Sequence, residues 1–120
     1  MIFTDNDTKI LLNIMKARRD VRGNRFIKKS VEEEKLKLIL EAGISAPSVG
    51  YSQPWKFVII KDEDIKNNIL KNFDNENDKA KEIFKDKELY KKLKLEGIKE
   101  APVNIAVLYE QKEKEILGMT

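Results

Sequence analysis

The sequence predicts an α+β chain, a central sheet flanked by helices, and three observations carry that reading. Apolar residues recur at helical spacing in several separate stretches. Two short runs, Trp55-Lys56-Phe57-Val58-Ile59-Ile60 and Val103-Asn104-Ile105-Ala106-Val107-Leu108, are rich in aromatic and β-branched residues and follow Pro54 and Pro102. The 120 residues show no internal repeat, and their number suits one domain with a modest core.

Taken in order, Ile10, Leu11, Ile14 and Met15 form one face of an amphipathic helix over residues 5–17, with Asp7 or Thr8 available to cap it. Gly23-Asn24 breaks the pattern. Ser30-Val31-Glu32-Glu33 reads as a capping box, with Ser30 at the cap of a second helix that carries Leu36, Ile39 and Leu40 to about Ile44. Pro47 ends that helix, because the residue before a proline is pushed out of the helical region. Residues 55–60 then form a buried strand, with Trp55 read as core, and Asp62 or Asp64 opens a helix with Ile65, Ile69, Leu70 and Phe73 inward. In residues 74–93, Ala80, Ile83, Phe84, Leu89, Tyr90 and Leu93 lie on one or two helical faces, and the charge run of residues 74–92 reads as a solvated face. Residues 103–108 supply the second core strand, and the polar stretch 110–115 a loop or hairpin turn. The expected total is two strands and about four helices.

Composition narrows the chemistry. Charged residues make up 38% and the hydrophobic set 41%, which describes a globular chain rather than a disordered one. The net charge of +3 is small and the signs are interleaved, so nucleic acid is not an expected partner. Cysteine and histidine are both absent, which removes disulfides, thiol nucleophiles, histidine-dependent triads and histidine or cysteine zinc sites. No run approaches the roughly 18 apolar residues of a membrane span, and the N-terminus lacks the basic and apolar regions of a leader. A cytoplasmic chain with no metal is the expectation.

Two stretches stand out as candidate binding elements. Ala46-Pro47-Ser48-Val49-Gly50-Tyr51-Ser52-Gln53-Pro54-Trp55 sets many polar groups beside a strand, as a ligand-binding loop does, although a helix-to-strand turn would also use such residues. All four arginines, Arg18, Arg19, Arg22 and Arg25, fall within eight residues, while the other twenty basic residues are lysines. Forked guanidinium donors suit phosphate or carboxylate, and cations at a helix C-terminus also complement its dipole. No glycine-rich dinucleotide fingerprint is present.

The segments RRDVRGNRF (18–26), APSVGYSQPWKFVII (46–60) and LKLEGIKEAPVNIAVL (93–108) resemble, in order and spacing, the nitroreductase-like flavoprotein superfamily. Asp20, Val49-Gly50 and Leu95-Glu96-Gly97-Ile98 make the likeness closest to its 5,6-dimethylbenzimidazole synthase branch. The resemblance covers about residues 8–118 and matches only the N-terminal part of longer members, so residues 1–120 are expected to be the first part of a single FMN-binding domain.

What the resemblance implies is an oxidoreductase using FMN as cofactor or as reduced substrate. In the synthase branch, molecular oxygen and reduced FMN yield 5,6-dimethylbenzimidazole, the lower ligand of cobalamin. The alternatives are an enzyme passing hydride from NAD(P)H through FMN to a nitroaromatic or quinone, and a non-catalytic remnant. Members are homodimers with flavin at the interface. The matching flavin contacts are Arg18, Arg19, Asp20, Val21, Arg22, Pro47, Ser48, Gln53 and Leu95, with Asp20 as the catalytic proton donor or acceptor. The alternative for Asp20 is a helix N-terminal cap or an ion pair with Arg22 or Arg25, and for Ser48 a bond to its own turn.

Overall fold

The computed structural model describes residues 1–88 and 96–111. Its elements are α1 (Asp5–Ala17), α2 (Glu33–Ile44), β1 (Trp55–Ile60), α3 (Glu63–Ile83) and β2 (Asn104–Tyr109), with single 3-10 turns at Gly23–Arg25 and Val49–Tyr51. The fold class is the expected α+β. The expected Leu89, Tyr90 and Leu93 positions, and the turn beyond Gln111, lie outside the described residues.

Helix α1 begins with a reciprocal cap. The Thr4 hydroxyl accepts from the Asp7 N–H at 3.3 Å, and the Asp7 carboxylate accepts from the Thr4 N–H at 2.8 Å. Asp7 is thus the third helical residue of a capping box and not the cap itself. The expected box at Ser30 is not formed: α2 starts at Glu33 behind Glu32, which makes no side-chain cap bond. Ser30 and Val31 instead lie outside any helix or strand and line a recess together with Ala101 and Pro102. Asp62 does cap α3, accepting from Ile65 N–H at 3.0 Å. This helix absorbs the first part of the charged stretch and continues unbroken to Ile83.

β1 and β2 pair antiparallel in the register Trp55↔Tyr109 to Ile60↔Asn104. Along β1, Trp55, Phe57 and Ile59 are half-buried while Lys56 and Val58 are exposed, the alternation of a strand covered on one face. Helix α2 supplies part of that cover. A Cβ at Gly43 would stand 3.1 Å from the Phe57 ring, so the absent side chain lets the helix end approach the sheet. β2 is half-buried from Asn104 to Ala106 and exposed from Val107 onward, which is less cover than a core strand was expected to have.

The shape is open. The radius of gyration is 19.2 Å, against about 14 Å for a compact domain of this length. Among the described residues the buried apolar side chains are Leu36 and Ile60 alone. The amphipathic face of α1, with Ile10, Leu11, Ile14 and Met15, is exposed, as is Ile65 at the start of α3. The periodicity that makes these helices is present, but the surface they would bury against is not among the described residues.

The most enclosed side chain among the described residues is a lysine. Lys66 is 1% exposed, and its ammonium donates to the Ala101 carbonyl at 2.9 Å and the Glu63 carboxylate at 3.2 Å. It therefore ties α3 to the segment that leads into β2. Lys66→Met should preserve bulk but strand the Ala101 carbonyl, lowering stability by about 1–3 kcal/mol, read as an earlier urea midpoint with an unchanged slope.

Candidate functional site

The basic stretch begins where α1 stops. Arg18 is the C-cap of α1, its N–H donating to the Ile14 carbonyl at 3.0 Å. Arg19 folds back on the helix end, one guanidinium nitrogen donating to the Lys16 and Arg18 carbonyls at 2.8 and 2.9 Å. Two residues on, the Asp20 carboxylate meets Arg22 Nε at 3.3 Å, both side chains largely exposed. With Asn24 and Arg25 they line a recess of about 220 Å³. Arg18 and Arg25 form no side-chain hydrogen bond or ion pair among the described residues. Val21, the remaining member of the set, is exposed.

What anchors this stretch is a glycine pair that sequence reading did not single out. Gly23 is buried, and a Cβ there would fall 2.4 Å from the Gly97 backbone nitrogen. Gly97 has φ +111°, a conformation that favours glycine, and a Cβ there would be 3.2 Å from the Phe26 ring. The turn after the arginines is thus docked backbone to backbone on residues 96–98. The signal was the presence of Gly in both motifs; their mutual contact had none.

Glu100 fastens the other side of that turn by accepting from the Gly97 N–H at 2.8 Å. This bond, then Glu100's own backbone N–H, with a smaller contribution from the Lys99 charge, hold its carboxyl below the ordinary 4.5. A lowered folded pKa means the bond supports the turn fully above the unfolded value and is lost as pH falls through the folded one. The Gly97 amide proton should therefore titrate with a midpoint below 4.5 in an NMR pH series.

The 46–53 loop is a separate structure. Pro47 and Ser48 follow α2, and the Ser48 hydroxyl accepts from the Gln53 N–H at 3.0 Å, closing the loop on itself. Within it Gly50, Tyr51 and Gln53 all have positive φ, of 58°, 53° and 42°. For Tyr51 and Gln53 that backbone costs on the order of 1 kcal/mol each, so the loop is held in a shape its residues do not favour. Ser48→Ala removes the closing acceptor and should speed exchange of the Gln53 amide about fivefold, by hydrogen exchange followed residue by residue.

The sheet keeps the two groups apart. The loop enters β1 at Trp55, beside Tyr109, and Glu110 N–H extends the ladder to the Pro54 carbonyl there. The arginine stretch docks through Gly97 at the other end, where the Asn104 side chain donates to the Ile98 carbonyl at 2.9 Å and Asn104 pairs with Ile60. Among the described residues no hydrogen bond or ion pair joins residues 18–22 to Ser48 or Gln53. Leu95, the last expected contact, lies outside the described residues. No cluster of three or more acidic side chains that could hold a metal ion occurs among the described residues, and no described helix is long and apolar enough to cross a membrane.

The sequence that builds these helices, the small antiparallel sheet, the arginine cluster and the Pro-Ser loop matches a family model. The chain belongs to the nitroreductase family, whose model covers residues 15–118. Among curated proteins it is similar to a 5,6-dimethylbenzimidazole synthase of Rhodospirillum rubrum, 38% identical over 96 residues, which span 78% of this chain and 44% of that protein. A 5,6-dimethylbenzimidazole synthase of Rhodobacter capsulatus is 29% identical over 109 residues, 89% of this chain and 52% of that protein. The chain spans about half the length of the curated relatives it matches.

Proposed function

We propose that this chain is the first part of an FMN-binding domain whose enzyme consumes reduced FMN and molecular oxygen to release 5,6-dimethylbenzimidazole. The observation that carries the reading is the Asp20–Arg22 pair at 3.3 Å, set in a recess that Arg25 also lines. A carboxylate placed among guanidinium groups can exchange a proton with a bound molecule while the cations hold that molecule's negative charge. The likeness to relatives carrying the synthase name adds to it.

The donor set suits the flavin's anionic parts. Arg18, Arg22 and Arg25 would hold its phosphate or the electron-rich edge of its ring, and Ser48 with the backbone of residues 46–53 would bond the ring or ribityl chain. FMN when bound supplies the redox chemistry, and a cation near its pyrimidine edge favours the anionic reduced form. Fit also sets a condition. A recess of about 220 Å³ is smaller than the roughly 300–1,000 Å³ of pockets that bury a whole small molecule. The Pro-Ser loop of the same copy lies toward the other end of the sheet. The remaining wall is therefore supplied by a second copy or by further chain, in keeping with the homodimer implied by the resemblance.

The deciding experiment mixes the chain with excess FMN, removes unbound flavin and records the visible spectrum, then follows loss of reduced FMN in air with chromatography for 5,6-dimethylbenzimidazole. Retained flavin and the benzimidazole product support the reading. Retained flavin with rapid NAD(P)H oxidation and no benzimidazole would replace it with a nitroreductase-like hydride carrier. Colourless protein would leave flavin binding to a longer chain.

A further inference from the structure

A cavity that the flavin reading leaves unused is lined from the 26–31 segment, the start of α3 and residues 99–102. It is a cleft of about 550 Å³ with Lys28, Lys61, Lys66 and Lys99 in its lining, together with Ser30, Glu63 and Glu100. Lys66, part of that lining, is enclosed and fixed by the Ala101 and Pro102 carbonyls and Glu63, so it contributes a charge that cannot swing away while the exposed lysines supply the free donors. Lys28, Lys61 and Lys99 are exposed and form no ion pair within 4 Å among the described residues. Glu100 is drawn aside by the Gly97 N–H.

Charge decides the class of ligand. Four lysines against two glutamates leave a surplus of two positive charges in the lining, which matches the roughly −1.5 to −2 of a phosphate monoester at neutral pH. Lysine ammonium groups act as point charges that suit a tetrahedral phosphate, whereas a planar carboxylate is better met by an arginine fork, and the cleft has no arginine. Its volume exceeds that of the phosphate alone and leaves room for an organic body. We infer that this cleft binds a phosphate monoester of about nucleotide size, at a site distinct from the arginine recess. The Ser30 hydroxyl, freed from the helix cap it was expected to make, is a further donor to it.

The ester could be FMN itself or another phosphorylated metabolite, and two probes separate these sources. Adenosine 5′-monophosphate and FMN are titrated by calorimetry at low salt into the unaltered chain, into Lys61→Gln/Lys99→Gln and into Arg18→Gln/Arg22→Gln. The substituted lysines are exposed and form no hydrogen bond or ion pair among the described residues, so folding is retained and is checked by circular dichroism. Removing two cations from one dianion should weaken adenosine monophosphate binding about tenfold, while the arginine variant leaves it within about twofold. If FMN also weakens in the lysine variant alone, the flavin phosphate is the occupant. If FMN weakens only in the arginine variant, the cleft serves another ester. Equal adenosine monophosphate affinity in the unaltered and lysine-substituted chains, loss only in the arginine variant, or no saturable binding at all would overturn the assignment.

Discussion

Gly23→Ala is expected to release the arginine-bearing turn from its seat. The added methyl would fall 2.4 Å from the Gly97 nitrogen and 2.8 Å from its Cα, and both are backbone atoms that no side-chain rotation can move aside. Overpacking of this kind costs about 1–3 kcal/mol, more where backbone must shift. The reporter is the Phe26 amide, which donates to the Gly23 carbonyl at 3.1 Å in the same turn. Its hydrogen exchange should rise about 30-fold or more, corresponding to roughly 2 kcal/mol. FMN retention should fall with it if Arg22 and Arg25 hold the flavin. A Phe26 amide as protected as in the unaltered chain would mean that the two glycines are not in contact.

Asp20→Asn tests the chemistry with little disturbance of the fold. Asparagine keeps the shape and an oxygen for Arg22, and an exposed ion pair contributes at most about 1 kcal/mol. Loss of a positioned proton donor or acceptor costs roughly 100- to 10,000-fold in rate. If the proposed function holds, benzimidazole formation from reduced FMN in air should therefore drop at least about 100-fold, with FMN retention nearly unchanged. An undiminished yield would remove Asp20 from the reaction and leave it as the partner of Arg22. Arg22→Gln supplies the contrast, since it should weaken flavin retention first.

What the sequence disclosed was mostly local. The strand at residues 55–60, the end of α2 near Ile44 and the Asp62 cap all follow from short-range rules and stand in the structure. The Ser30 cap did not form: α2 starts at Glu33, and residues 30 and 31 line a recess together with Ala101 and Pro102, a neighbourhood of which a capping motif carries no knowledge. Lys66 carried no signal in the sequence, one lysine among twenty. Carbonyl groups 35 and 36 residues away make it the most enclosed side chain described. The apolar face of α1 was legible as a face, but whether it is covered is decided by surface beyond the helix.

The candidate site divides in the same way. Arginine clustering and the Pro-Ser loop were visible as composition, and the Arg19 contacts with helix-end carbonyls are those a basic residue makes at a helix C-terminus. The Asp20–Arg22 pair was one of several arrangements the spacing allowed. Separation of the loop and the arginines toward opposite ends of the sheet was not legible, because it follows from a strand register that links distant residues.

That register also sets a timetable for synthesis. Each ladder partner lies 44 to 54 residues from its mate, so at about 5–20 residues per second β1 leaves the ribosome several seconds before β2 is complete. Helices form within about a microsecond, so α3 is available early, whereas β1 must wait with both backbone edges open. In that interval its Phe57-Val58-Ile59-Ile60 run can pair with any other strand it meets. Slow translation between residues 60 and 104 would lengthen the wait and should increase the chain's dependence on chaperones in a cell-free expression system.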